Sequence, residues 1–491
     1  MKRRLLLRLI FLSSFATVLA DASNHLSIEE LQQVRFPEVT LESVKHVSTG
    51  AKPHVEVKGI IGEHIQFELL LPDQWNERFV MGGGGGFVGT VQNMARFSVN
   101  LGYATVGTDT GHQFPQGHIA TWAYNDIEAK VNFGYLAVHR TAEVSKALIR
   151  TYYRKEPMHS YFVGCSRGGG QALMEAQRFP NDFDGVVSGA PAFNWTGLAA
   201  MAVSIAKALY PDSAHLDTNV LSKDALQKLA TGIIEQCDAQ DGLKDGVIQD
   251  PASVHFDLSK IEGLTEDQRK AIDAIFQGAR NVKGAAYPGF APVAECDPNQ
   301  WTLWITGPVP GFTKDQAADL LFAFGTQIFK YLIFNDPNWD YSKYDFSTFE
   351  HDTQLAASYL NANNPNLSGL KKRDGKLIIW HGWADTALPA QATIEYYMQV
   401  KAHDPSAADY CRLFLVPGCL HCGGGPGATD IDWLSAIVDW VEKGRAPDKL
   451  IAAKKENGKT VMTRPIYPYP ETAIYKGSGD PNSSDSFEAK R

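Results

Sequence analysis

The chain has 491 residues, a formal net charge of −9 at pH 7 and 44% hydrophobic residues. One hydrophobic core usually extends over no more than roughly 250–300 residues, so we expect more than one folding unit. The acidic balance offers no basic stripe, and we expect neither nucleic acid nor an anionic membrane as a partner. A small neutral or acidic ligand is compatible with this composition.

The first 20 residues have the pattern of a secretory signal peptide. Residues 2–4 are basic, and the apolar stretch that follows ends in Val18-Leu19-Ala20, with small residues where signal peptidase cleaves. An uncleaved anchor is disfavoured because Arg8 interrupts the stretch and no run of about 18 apolar residues follows. We therefore predict a signal peptide at 1–20 and a secreted or periplasmic protein.

Strand-like and helical segments alternate in both terminal parts of the chain. Strands are predicted within 54–71, 79–89, 102–112, 160–164, 183–191, 375–381 and 412–417, and helices at 126–153, 171–178 and 430–443. This alternation favours a mostly parallel sheet with helices on both faces. From about 196 to 369 the pattern changes to helices, irregular loops and many aromatic residues, which indicates an inserted domain. The Ser- and Gly-rich tail 476–491 is predicted to be disordered.

Residues 164–168 match the nucleophile motif G-x-S-x-G of serine hydrolases. The segment is Gly164-Cys165-Ser166-Arg167-Gly168, between an apolar strand-like run and an amphipathic helix. Its glycines allow the sharp strand-to-helix turn that raises a serine oxygen above the sheet. A glycine-rich turn with an incidental serine is the alternative. The flanking elements favour Ser166 as a nucleophile.

A serine nucleophile needs a histidine to accept its proton and a carboxylate to orient that histidine. In α/β-hydrolases these partners follow in the order serine, acid, histidine. Asp385 lies just past the strand-like run 377–380, and His421 lies just past a run that ends at Val416. Active sites of open α/β sheets form at such carboxyl ends. The competing histidines are His112, His139 and His381. We favour a structural hydrogen-bonding role for His139, which falls within a predicted helix. We favour the same role for His381, which lies too close to the end of its strand.

The six cysteines favour disulfides, because an exported protein folds in an oxidising compartment. Cys165 directly precedes the proposed nucleophile and Cys422 directly follows the proposed base. A Cys165–Cys422 bridge would therefore tie the two catalytic loops together, and two unrelated thiols are the alternative. Zinc at 419–422 is disfavoured because no second ligand pair has suitable spacing. Spacing alone does not assign disulfide partners to the other four cysteines, which are Cys237, Cys296, Cys411 and Cys419.

An acyl-transfer site also needs N–H donors for the developing oxyanion. One predicted donor is the backbone N–H of Arg167, the residue after the nucleophile. The other is expected in the glycine loop 82–86, with Gly84 or Gly85 preferred, although simple loop flexibility also explains five glycines. For the Arg167 side chain we favour a surface ion pair over a contact with a substrate carboxyl group.

Residues 237–247 have the sequence CDAQDGLKDGV, with three aspartates spaced three and four residues apart. Carboxylates in a loop with glycines are suited to calcium, which takes oxygen ligands. The spacing differs from that of an EF-hand. A pair of Asp-Gly turns explains the same pattern equally well.

The chain resembles the tannase and feruloyl esterase family of α/β-hydrolases. The resemblance rests on WNERFVMGGGGGFVG, GYATVGTDTGH, SYFVGCSRGGGQALMEAQRFPNDFDGVVSGAPA, WHGWADTALP and VPGCLHCGGGPG, spread over most of the chain. It implies an α/β-hydrolase domain formed by 21–195 and 370–491, with a lid at 196–369. It also implies Ser166 as nucleophile, Asp385 and His421 as its partners, and the Cys165–Cys422 disulfide.

The resemblance further implies a structural calcium ion in the lid and no organic cofactor. Its ligands would be the side chains of Asp238, Asp241 and Asp245 and the carbonyls of Leu243 and Val247. The sequence departs from the family in having no cysteine at 251–256, where the partner of the cysteine before the calcium loop is common. Here Cys237 has Cys296 as an alternative partner.

We therefore expect a secreted serine esterase that cleaves feruloyl, galloyl or related aromatic acid esters through an acyl-serine intermediate. Terephthalate monoesters, a peptidase or thioesterase activity, and a non-catalytic calcium-stabilised binding protein are the alternatives. Aromatic lid residues are expected to contribute either to the substrate pocket or to the lid core. The candidates are Trp301, Trp304, Phe312, Phe322, Phe324, Phe329 and Trp339.

Overall fold

The computed structural model describes residues 25–114, 116–281, 284–293, 298–307 and 318–490. The predicted signal peptide at 1–20, Cys296 and Phe312 lie outside these ranges. Within them, no helix is long and apolar enough to cross a membrane.

A nine-stranded sheet forms the centre of the protein. From one edge to the other its strands are β1 (Val39–Val47), β2 (His54–Ile61), β3 (Ile65–Pro72), β5 (Ala104–Thr108), β4 (Arg78–Gly82), β6 (His159–Cys165), β7 (Gly185–Gly189), β10 (Lys376–Gly382) and β11 (Cys411–Val416). The first three pair antiparallel and the other six run parallel to one another. The parallel strands β7 and β10 are buried along their whole length, as expected for a sheet covered on both faces. This is the α/β-hydrolase fold predicted from the sequence.

Helices connect and cover these strands. They are α1 (Ile28–Gln32), α2 (Ile127–Val131), α3 (Ala137–Tyr153), α4 (Arg167–Arg178), α12 (Ala390–His403) and α13 (Trp433–Lys443). A π-helical turn joins α2 to α3, so the predicted helical stretch 126–153 is continuous. Helix α4 begins directly after β6 and buries ten of its twelve residues, which fixes its position beneath the carboxyl edge of the sheet.

Between β7 and β10 the chain adds helices and one short hairpin, none of them in the central sheet. These elements are α5 (Trp195–Leu209), α6 (Lys223–Cys237), α7 (Glu266–Gln277), β8 (Ala279–Asn281), β9 (Gly284–Tyr287), α8 (Pro298–Trp301), α9 (Leu320–Gln327), α10 (Phe349–Leu360) and α11 (Ser368–Lys372). The expected lid boundaries at 195/196 and 369/370 fall inside α5 and α11. The lid as a separate domain stays a prediction.

The C-terminal region forms two more hairpins, β12 (Leu450–Glu456) with β13 (Lys459–Ile466), and β14 (Thr472–Tyr475) with β15 (Phe487–Lys490). The prediction that 476–491 is disordered is therefore wrong for the described residues. The Phe487 ring is buried and lies 4.1 Å from the Arg464 guanidinium carbon, so one aromatic residue anchors an otherwise polar segment.

Candidate active site

Ser166 lies in a strained turn between β6 and α4. Its φ of 62° and ψ of −123° are rare for a residue with a side chain. The N–H of Ser166 donates to the carbonyl of Gly189 at 3.0 Å, and the N–H of Ala192 donates to the carbonyl of Ser166 at 2.9 Å. These bonds to the end of β7 hold the turn in place and expose the serine oxygen at the carboxyl edge of the sheet.

Gly164 of the motif and Gly169 just after it are required by close backbone contacts. A Cβ atom on Gly164 would lie 2.3 Å from the carbonyl oxygen of Gly168, and one on Gly169 would lie 2.1 Å from that of Gly189. Neither position has room for a side chain, because real Cβ atoms do not approach so closely. The turn therefore depends on glycine for its tight packing.

Three sequence-remote side chains form one hydrogen-bonded chain. The Ser166 hydroxyl lies 2.8 Å from Nε2 of His421, and Nδ1 of His421 lies 2.8 Å from Oδ2 of Asp385. With the proton on Nδ1, Nε2 is free to accept the serine proton. This is the geometry in which an imidazole activates a hydroxyl group.

Asp385 is buried and held in one orientation. Its Oδ1 accepts the N–H groups of Ala387 at 2.8 Å and Leu388 at 2.9 Å. Burial alone would raise the pKa of Asp385, but the imidazoles of His421 and His381 outweigh it and hold that pKa below its ordinary value. The carboxylate therefore remains charged and can stabilise an imidazolium at His421.

His381 has the structural role expected from the sequence. Its Nδ1 lies 2.7 Å from the Thr393 hydroxyl and its Nε2 lies 3.0 Å from the carbonyl oxygen of Leu388. Nε2 is also 3.3 Å from Asp385. The ring is fully buried and contacts the same aspartate oxygen, Oδ2, as His421 does.

Cys165 and Cys422 form the predicted disulfide, which links residues 257 positions apart in the sequence. One cysteine adjoins Ser166 and the other adjoins His421. The bond therefore fixes the nucleophile turn to the loop after β11.

A largely apolar cavity opens above Ser166. Apart from Ser166, His421 and Arg167, its lining side chains are apolar or absent: Gly86, Ala192, Trp195, Leu198, Trp304, Leu321, Phe324, Ala387 and Leu388. The rings of Trp304 and Phe324 stack at 6.2 Å, and Trp304 meets the His421 ring edge-on at 5.3 Å.

Of the aromatic candidates from the sequence, only Trp304 and Phe324 belong to this cavity among the described residues. Trp301, Phe322 and Phe329 are core residues, and Trp339 stacks on Phe329 at 4.7 Å. The sequence offered no signal to separate the two groups, because tryptophan and phenylalanine occur in both.

A family model described as tannase and feruloyl esterase matches residues 52–490. The chain belongs to this family. It is 32% identical to mono(2-hydroxyethyl) terephthalate hydrolase of Piscinibacter sakaiensis, over 90% of this chain and 85% of that protein. It is 30% identical to feruloyl esterase B of Aspergillus niger, over 86% of this chain and 83% of that protein. The crystal structure of feruloyl esterase B from Aspergillus oryzae superposes with a TM-score of 0.82 at 25% identity, covering 94% of this chain and all of that one.

This tannase and feruloyl esterase family member is thus a carboxylic ester hydrolase. The glycine predicted to join Arg167 as an oxyanion donor was Gly84 or Gly85, but both of these amides already have acceptors. The N–H of Gly84 donates to Oε1 of Gln171 at 3.1 Å, and that of Gly85 donates to Oε1 of Gln92 at 2.8 Å. Both amides are occupied, so the preference for Gly84 or Gly85 is corrected. Gly86 lines the cavity beside Ser166, and its N–H has no acceptor among the described residues.

The backbone of Arg167 retains its predicted place at the first position of α4, where a helix leaves the N–H without an intrahelical acceptor. Its side chain differs from both sequence-based interpretations. The guanidinium is 1% exposed, donates to the carbonyls of Phe133 and Gly134, and lies 4.3 Å from the Phe133 ring and 5.5 Å from that of Trp195. The prediction of a surface ion pair is therefore wrong.

The acidic loop that follows α6 has a donor set suited to calcium. Burial raises the pKa of Asp241, and the charges of Asp245 and Asp238 add to this effect. Since the three carboxylates repel one another, a bound divalent cation would relieve the repulsion. Arg464 on β13 donates to Oδ2 of Asp245 at 2.5 Å and neutralises part of the charge. The Val247 side chain packs near Gly418, in the loop that carries His421.

Proposed function

We propose that this protein is a serine esterase that hydrolyses esters of aromatic acids with uncharged, sparsely hydroxylated rings. The observation that supports it is the Ser166–His421–Asp385 chain at the floor of an apolar cavity. In catalysis, Ser166 Oγ attacks the ester carbonyl carbon while its proton passes to Nε2 of His421. Asp385 stabilises the imidazolium that results.

The tetrahedral oxygen then carries a negative charge that needs donors. The N–H groups of Arg167 and Gly86 are suited to this role, because both residues border the cavity and neither N–H has an acceptor within the part of the chain that the structure describes. The intermediate collapses when His421 gives its proton to the leaving alcohol oxygen, which leaves an acyl group on Ser166. Water attacks this acyl group by the same steps and releases the aromatic acid.

The apolar lining of the cavity favours binding of uncharged rings. A ring hydroxyl buried without a partner costs about 1–3 kcal/mol, and a buried carboxylate costs more. The one cationic lining residue, Arg167, has its guanidinium directed at two backbone carbonyls and covered by aromatic rings. We therefore place terephthalate monoesters and gallates below feruloyl and cinnamoyl esters as substrates.

The test compares kcat/KM for methyl ferulate, methyl gallate, mono(2-hydroxyethyl) terephthalate and p-nitrophenyl acetate, with acid release followed by chromatography. We expect methyl ferulate to be hydrolysed at least about 10-fold faster than the gallate or the terephthalate monoester. Trp304→Ala should lower kcat/KM for methyl ferulate about 10-fold through loss of ring contact, and Trp304→Phe should restore most of it. Acetate hydrolysis should change little in either variant. A preference for the terephthalate monoester would show that the acyl pocket is assigned wrongly.

We propose that Asp238, Asp241, Asp245 and the carbonyls of Leu243 and Val247 hold a structural calcium ion. Calcium would draw together three carboxylates whose mutual repulsion Arg464 offsets only in part. Since this loop contacts the loop of His421, its order also supports the catalytic base.

Calcium removal should lower the melting temperature of the esterase. Free calcium at 100 times Kd stabilises a folded protein by about 2.7 kcal/mol, so titration after chelation should restore stability. Asp241→Asn should abolish this calcium-dependent shift, whereas Asp267→Asn, at an exposed position on α7, should not. An unchanged melting temperature in wild type across the titration would contradict a calcium site.

We also infer export from the signal-like segment 1–20. The Cys165–Cys422 disulfide is compatible with an oxidising compartment.

A further inference from the structure

A second group of metal-binding side chains lies away from Ser166. His139 belongs to the first turn of α3, Glu175 to the last turn of α4, and Asp182 to the loop before β7. One donor atom from each residue lies within 4.8 Å of the other two. No other set of three histidine, cysteine or acidic side chains in the described ranges meets this distance, the calcium-loop aspartates included.

Glu175 is the observation that points to a ligand. Its side chain is 1% exposed, and neither carboxylate oxygen has a hydrogen-bond donor in the described part of the chain. Buried carboxylates are nearly always paired or bound to a metal, because an unpaired charge loses its hydration. The neighbouring side chain in the cluster is Asp182, a second carboxylate. An ionised carboxylate cannot donate a hydrogen bond to Glu175.

The nearby cations are bound elsewhere. Lys146 donates to the backbone carbonyl of Asp182, and Arg373 donates to Asp184 and to two backbone carbonyls. The close contact of His139 Nδ1, at 2.6 Å, is with Oδ2 of Asp182 and not with the Glu175 carboxylate. The Glu175 carboxylate therefore lacks a direct cationic partner on these surrounding elements.

We propose that His139 Nδ1, Glu175 and Asp182 bind a divalent transition metal of the zinc type. One imidazole nitrogen and two carboxylates form a ligand set for zinc, whereas calcium and magnesium take oxygen ligands. Neutral His139 would direct the Nδ1 lone pair at the metal. Its Nε2–H would point at the Glu143 carboxylate, 3.4 Å away, and a metal-bound histidine typically donates its other N–H to such a carboxylate. The His139 side chain is 21% exposed and provides an entry route.

Such a metal would join α3, the end of α4 and the segment entering β7. Helix α4 carries Ser166 at its other end, about 13 Å away at 1.5 Å per residue. The site is therefore structural, and it stabilises the helix on which the nucleophile depends. It does not rest on the proposed esterase activity.

The test uses the full-length protein, stripped of metal and then kept in saturating calcium. Zinc uptake is measured by equilibrium dialysis with elemental analysis, and cobalt is used as a spectroscopic probe of nitrogen and oxygen ligation. We expect one zinc per chain and a higher melting temperature with zinc. Glu175→Gln should weaken zinc binding at least about 100-fold. The metal-free variant should be no less stable than metal-free wild type, since it removes a buried charge.

Glu63→Gln, at an exposed turn, is the matched control and should bind zinc like wild type. The proposal is overturned if wild type binds no zinc or cobalt, or if Glu175→Gln binds them as tightly as wild type. If the glutamine variant is more stable but wild type binds no metal, the two carboxyl groups share a proton and the metal site is wrong.

Discussion

Replacing Ser166 by alanine should lower kcat for methyl ferulate by about 10⁴-fold or more, because no other group can form the acyl intermediate. The hydroxyl contributes little to ring binding, so KM should stay near the wild-type value. The His421–Asp385 contact needs no serine, and the fold should remain intact. Release of ferulic acid, together with the melting temperature, measures both effects.

Ser160→Ala is the matched control, since Ser160 lies on the same strand, β6, near its opposite end. It should keep wild-type activity. A phosphonate ester should add one covalent group to wild type and none to Ser166→Ala, as seen by mass spectrometry. If the alanine variant retains even about one hundredth of the wild-type activity, the nucleophile is a residue other than Ser166. In that case, loss of phosphonate labelling in the variant would not be enough to identify Ser166 as the nucleophile.

Removing the disulfide with Cys165→Ala and Cys422→Ala together should destabilise the protein and slow catalysis. The chain-entropy model gives about 5 kcal/mol for a bridge that closes so long a loop. A shift of about 1 Å between the Ser166 and His421 loops lowers kcat by about 100-fold, and KM should change less than kcat. Denaturant unfolding and steady-state kinetics on methyl ferulate give the two quantities.

The double substitution avoids leaving an unpaired thiol beside the nucleophile. Cys411→Ala is the comparison, since Cys411 is a buried cysteine at the start of β11 that forms no disulfide with any described cysteine. It should lose stability through a small cavity but keep kcat. If the double variant keeps both stability and kcat, the hydrogen bonds of the triad suffice to align the loops and the bridge has another role.

Local patterns in the sequence carried the strongest predictions. The glycines around Ser166 are explained by contacts within the turn and with the neighbouring β7, and these needed no knowledge of the remaining chain. Asp385 and His421 were predicted because each follows a strand, and parallel strands end at one edge of the sheet. The disulfide followed from the same placement, since its cysteines adjoin the serine and the histidine.

Long-range contacts decided what the sequence could not predict. Gln171 and Gln92 occupy the amides of Gly84 and Gly85, and this leaves the N–H of Gly86 beside the cavity. No local pattern distinguishes one of five consecutive glycines from another. The Arg167 side chain was expected at the surface because it is charged, but it is buried against an aromatic ring and two carbonyls contributed by the turn before α3.

The sequence by itself determined the fold class, through its alternation of strands and helices, and the family, through its motifs. It also predicted the meeting of Ser166, Asp385 and His421 and the Cys165–Cys422 bridge, because these residues lie next to strand ends. Only the tertiary structure decided which glycine amides are occupied, which residues line the cavity above Ser166, and the meeting of His139, Glu175 and Asp182. These last three lie on α3, on α4 and in the loop before β7. Helix α3 packs on β3 and β5, helix α4 packs on β6 and β7, and the π-helical turn before α3 contacts α4. Such contacts depend on distances between elements, which sequence spacing does not record.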